Sequence, residues 1–116
     1  REAKQMNVRL VLKDGTLTAR LSGEIDHHSA QAVRENIDET AGKTKPKRLI
    51  LDFAHVTFMD SSGVGLIMGR YKLMQLLGGA LVIANLPPKI EKVVSLAGLD
   101  RLAKFEKDVV YDETDE

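Results

Sequence analysis

The sequence predicts an α/β sandwich, and three observations carry that expectation. Apolar residues recur at strand and helix periods in the order β-β-α-β-α-β-α, with a weak β-α end. Strand–helix–strand units between positions 49 and 84 imply parallel strands joined by right-handed crossovers. A chain of 116 residues, 43% of them hydrophobic, can bury a single core. With 4% aromatic residues and no Trp, that core is expected to be aliphatic.

Residues 8–12 (VRLVL) alternate and are rich in branched side chains, which marks a strand. Asp14-Gly15 is a strong hairpin signal. Leu17, Ala19 and Leu21 then alternate with Thr18 and Arg20, so a second strand pairs antiparallel with the first. Gly23 to Ser29 reads GEIDHHS, in which Asp26 or Ser29 can cap a helix. Ala30, Val33, Ile37 and Ala41 form one apolar stripe, with Arg34 and Asp38 on the wet side and Gly42 as the stop. The basic run 43–48 reads as a solvated loop.

Residues 49–53 are expected to form a buried strand, followed by a loop into Asp60-Ser61-Ser62-Gly63, which opens a helix. Val64, Ile67, Tyr71 and Met74 give that helix its apolar face. Gly65 and Gly69 each cost about 1 kcal/mol in a helix interior relative to Ala. They imply close packing on the sheet or the approach of a partner. The methionines read as core filler. Gly78-Gly79 ends the helix, and residues 80–84 (ALVIA) form a strand covered on both faces. Pro88 opens a short helix that stops at Gly98. Residues 99–105 are a weak strand or loop. Positions 108–116 are an acidic tail or helix, with Val109, Val110 and Tyr111 at its start. Positions 1–5 read as a disordered or appended segment, and 1–116 as one domain.

The 17 basic and 17 acidic residues cancel, so the basic excess of a nucleic-acid-binding domain is missing. Without Cys there are no disulfides or thiolate metal sites. No apolar run reaches the roughly 18 residues of a membrane span, and no signal peptide is visible. The expectation is a cytoplasmic protein that contacts neither nucleic acid nor membrane.

The chemistry concentrates in TFMDSSGVGLIMGR, residues 57–70. Asp60 and the serines are good N-caps, and a cap alone is the plain reading of this stretch. A serine there also sits beside the positive end of a helix, where an added phosphate meets N–H donors and a favourable dipole. A serine hydrolase is disfavoured, because the G-x-S-x-G elbow is missing. His27-His28 make a poor metal pair, since neighbouring side chains point apart. No nucleotide-binding glycine motif is present. The reading is a chain without catalytic residues, metal or cofactor.

The strand–FMDSSGVG–helix stretch resembles the phosphorylation segment of the anti-sigma-factor antagonists, members of the STAS family. GEIDHHSA is similar to the sporulation stage II branch, and LAGL, residues 96–99, resembles the family's S-G-L. The three motifs hold the family's order over nearly the whole chain. The acidic tail carries no family signature.

The resemblance implies a single STAS domain, with a small mixed sheet and helices packed on it. It implies that Ser61 accepts a phosphate. It also implies a partner that is both an anti-sigma factor and an ATP- or ADP-bound serine kinase, and a serine phosphatase that resets the switch. The unphosphorylated form would hold the anti-sigma factor and so release a sigma factor, in sporulation. The partner surface is expected to draw on Asp26, His27, His28, Asp60, Ser61, Ser62, Gly63 and Gly65. Asp26 lies near Ser61 if the two preceding strands end at one sheet edge. The competing reading is a STAS scaffold subunit of a larger stress-sensing assembly.

Overall fold

The structure, a computed structural model, describes residues 7–110. Strands β1 (Asn7–Lys13) and β2 (Thr16–Ile25) form the expected antiparallel hairpin. Asp14 and Gly15 turn it with φ of 52° and 79°. Two positive φ values define the turn whose twist suits adjacent strands. Helix α1 (His27–Thr44) leads to β3 (Arg48–Met59), α2 (Ser61–Leu77), β4 (Ala80–Ala84), α3 (Pro88–Leu96), a 3₁₀ turn (Leu99–Arg101) and β5 (Lys104–Glu106).

The sheet order is β1-β2-β3-β4-β5, parallel from β2 to β5. The sheet is therefore mixed, and the fold is the expected α/β arrangement. Strand order follows chain order, so right-handed crossovers lay the helices on one face. Val33 and Ile37 of α1, Leu66 and Ile67 of α2, and Ile90 and Val94 of α3 join Leu49, Leu51, Phe53 and Ile83 in one core. Each such fully buried side chain contributes about 1.5–3 kcal/mol of transfer free energy. Met59 and Met74 are part of that core.

β4 is buried on both faces, as its unbroken apolar run requires. Leu81 and Ile83 enter the helix-covered core, while Val82 and Ala84 join Ile50 on the other face. Val109 packs there too. Asn85 holds it: the Asn85 side chain accepts from the Val109 N–H at 2.8 Å and donates to the Val109 carbonyl at 3.0 Å. It also donates to the buried Asp52 carboxylate at 3.2 Å. No helix starts at Val109 or Val110, because the Val109 backbone is committed to Asn85. The expectations for positions 1–5 and for 111–116, Tyr111 included, fall outside the described residues.

Two boundaries differ from the sequence reading. The strand expected to stop at 53 continues to Met59, with no loop before Asp60. Its second half pairs with β2 through register shifts between Arg20 and Ser22 and between Gly23 and Glu24. Such bulges break the two-residue period, so residues 54–59 do not read as a strand. Helix α1 passes Gly42 and stops at Lys45, whose φ is 47° and whose N–H donates to the Ala41 carbonyl at 2.8 Å.

Candidate partner-binding site

Strands β2 and β3 end level, with Ile25 opposite Met59. Each turns at once into a helix through an aspartate N-cap. Asp26 caps α1, accepting from the His28 N–H at 3.0 Å and the Ser29 N–H at 2.9 Å. Ser29 Oγ returns the contact, accepting from the Asp26 N–H at 3.0 Å and donating to the Glu24 carbonyl at 2.8 Å. This capping box satisfies donors that a helix start leaves open. The Ser29 N–H, more than any other neighbour, holds the Asp26 carboxyl below the usual carboxylate range.

Asp60 caps α2, accepting from the Ser62 N–H at 2.8 Å, while the Gly63 N–H donates to the Asp60 carbonyl at 2.9 Å. The Asp60 N–H donates to the Ile25 carbonyl at 3.1 Å, which locks the two starts together. Asp26 and Asp60 thus sit at one sheet edge, as the sequence reading required for Asp26 to approach Ser61. Ser61 is the first residue of α2 and is exposed. His27 and His28 are also exposed. Phe58, which directly precedes Met59, is 50% exposed beside the site. It is a surface residue that the interrupted strand period concealed.

A groove of about 290 Å³ runs between the N-terminal halves of α1 and α2. His27, Gln31 and Arg34 line it from α1, and Ser62, Gly65 and Leu66 from α2. His28 and Ser61 lie outside that lining. The glycines divide by environment. Gly63 is buried, and a Cβ there would overlap the Met59 side chain. A Cβ on Gly65 or Gly69 would meet nothing within 4 Å. Packing within the chain explains Gly63 and does not explain the other two.

Below the groove, Arg70 of α2 is 5% exposed. Its Nε lies 2.9 Å from Asp38 Oδ1 on α1, out of line for a full hydrogen bond. Its Nη2 donates to Asp38 Oδ2 at 3.2 Å, and Nη1 to the Leu66 carbonyl at 3.3 Å. Burial pulls the Arg70 pKa down, Asp38 opposes that, and nearby Arg34 adds to the fall. Sequence reasoning left this pair out, although Gly63, Leu66, Arg70 and Met74 fall on one helical stripe. Among the described residues no cluster of three His, Asp or Glu side chains is arranged to hold a metal ion.

The family model of the STAS domain matches residues 7–111. The chain belongs to the STAS family. A curated relative, the anti-sigma F factor antagonist of Paenibacillus polymyxa, is 35% identical over 99 residues, covering 84% of this STAS chain and 85% of the relative. The anti-sigma factor antagonist SpoIIAA, solved in its unphosphorylated form, superposes with a TM-score of 0.77 at 29% identity, over 93% of this chain and 91% of SpoIIAA. The Bacillus cell fate determinant SpoIIAA in its phosphorylated form gives 0.70 at 29% identity, over 93% and 95%. The two aspartate-capped helix starts are therefore features of a STAS domain with the SpoIIAA fold. Among its described residues no helix is long and apolar enough to cross a membrane.

Proposed function

We propose that this STAS domain is an anti-sigma factor antagonist that works as a non-catalytic switch. Its unphosphorylated form binds an anti-sigma factor that is also a serine kinase, and so frees a sigma factor in sporulation. The kinase uses its own bound ATP to phosphorylate Ser61 and then releases the domain. A serine phosphatase restores the binding form. The single observation that carries this reading is Ser61, exposed at the first position of α2 beside the Asp60 cap, with the Asp26 cap at the same edge. The existence of SpoIIAA in phosphorylated and unphosphorylated forms supports it.

The physics of release is local charge. A phosphate adds about −1.5 to −2 charges at neutral pH. It would arrive next to two carboxylates, so closing a partner over it must desolvate three negative groups at once. Each 1.4 kcal/mol lost there is about a tenfold loss of affinity. The test is incubation of the domain with a purified anti-sigma F factor and ATP, followed by mass spectrometry that locates any phosphate. Phosphate on Ser61 is the expected result. A stable complex without any transfer to the domain would reduce the reading to binding alone.

A further inference from the structure

We propose that the groove between α1 and α2 is a receptor for one carboxylate side chain of a protein partner, with Arg34 as the pairing cation. This deepens the antagonist reading and rests on it for the partner's identity. Three observations lead to it. Both Asp38 oxygens face Arg70, at 2.9 and 3.2 Å, so the carboxylate one helical turn from Arg34 is already committed. Among the described residues no ion pair or hydrogen bond engages the Arg34 guanidinium. Between α1 and α2, Arg70 thus takes Asp38, and Arg34 keeps its guanidinium at the groove.

The groove also has room for a side chain. Gly65 leaves its wall open, and a Cβ there would meet nothing within 4 Å. Leu66, almost wholly buried, floors the groove, and the half-buried Ala30 offers apolar surface to the methylenes of a glutamate. Ser62 places a hydroxyl at the same groove for the second carboxylate oxygen, and Gln31, whose amide already donates to Glu35 at 3.3 Å, has one further N–H. A single negative charge suits the site better than a phosphate dianion. The groove begins one residue after Asp26 and two after Asp60, so a dianion entering it meets two acidic caps. Arg34 also suits a planar carboxylate, since its fork can pair with both oxygens.

The test has two arms, each read by NMR or calorimetry on the full chain. In the first, a short blocked helical peptide carrying glutamate beside leucine is titrated in, and then its glutamine counterpart. The glutamate peptide should shift the Arg34 Nε–H and the Gly65 amide. The glutamine peptide, or Arg34→Gln, should weaken binding about tenfold, the loss expected when one side of a charge pair is removed. Equal binding of the two peptides, or shifts confined to other surfaces, overturns the proposal.

In the second arm a purified anti-sigma F factor is the probe. Arg34→Gln should weaken the complex by about tenfold or more, with Arg34→Lys losing less. Gly65→Val should weaken it by filling the groove. A complex indifferent to Arg34→Gln overturns the carboxylate receptor and leaves the antagonist reading standing. Failure of the unaltered chain to bind this probe counts against the antagonist reading, and the peptide arm alone then judges the groove.

Discussion

The N–H of Asp60 donates to the carbonyl of Ile25 at 3.1 Å, and this bond ties the start of α2 to the end of β2, one residue before α1 is capped. Parallel strands that end level give two helix N-termini at one edge. Both are closed by aspartate, so this edge carries two carboxylates before any modification.

Asp26 should behave as both cap and surface charge. Its folded pKa is depressed, chiefly by the Ser29 N–H. Its stabilisation is therefore present above the unfolded pKa, about 3.9, and is lost as pH falls through the lower folded value. The start of α1 is expected to hold at neutral pH and to fray only below about pH 4, as read from the His28 and Ser29 amide resonances. Asp26→Asn keeps much of the cap and removes the charge. It should reduce kinase binding, and unchanged binding with unchanged phosphorylation would leave Asp26 as a helix cap and nothing more.

Ser61→Ala should abolish phosphorylation while partner binding survives, and substantial phosphate on Ser62 would sink this assignment. Phosphorylation should leave the melting temperature about level. The dipole favours the phosphate, worth roughly 0.3–1 kcal/mol, but Asp60 repels it and has already taken the Ser62 N–H. Amide shift changes should stay near 58–65 and the start of α1. Changes spread through β4 and the hairpin would show a remodelled fold instead of a surface charge.

Alanine separates the two glycines of G-V-G. Gly63→Ala drives a methyl into Met59 and should cost about 1–3 kcal/mol, the range for overpacking a core. Gly65→Ala meets open space and should gain about 0.5–1 kcal/mol from helix propensity. The same change should weaken the partner complex, because the methyl enters the groove. Thermal melts and a binding isotherm on the two variants give all three signs. Loss of stability in Gly65→Ala would contradict the open space.

The Arg70–Asp38 pair joins α1 to α2. Removing Asp38 strands a buried guanidinium, so Asp38→Ala should destabilise by about 1–3 kcal/mol, tempered by the partial exposure of Asp38. Arg70→Met replaces the charge with an apolar chain of similar length, and such replacements are often close to neutral. Chemical denaturation should therefore rank Asp38→Ala below Arg70→Met, and the reverse order would refute the ion-pair account.

The elements read from local pattern were those with a clean period or a strong cap. The Asp14-Gly15 turn, the Val33–Ile37–Ala41 stripe, the Asp60 start of α2 and the doubly covered β4 all declare themselves through nearest neighbours. Residues 54–59 escaped because the bulges against β2 remove the alternation that marks a strand. Arg70 escaped because a charged residue on an apolar stripe has meaning only when its counter-ion arrives from another helix. Both helix starts were legible, and so was Ser61 at the head of the second. That they stand side by side depends on the parallel register of Ile25 and Met59, 34 positions apart in the chain. Register between distant strands is a product of core packing and bulge placement, quantities spread over the whole sheet, so the groove and its unpaired Arg34 took form only when the chain closed on itself.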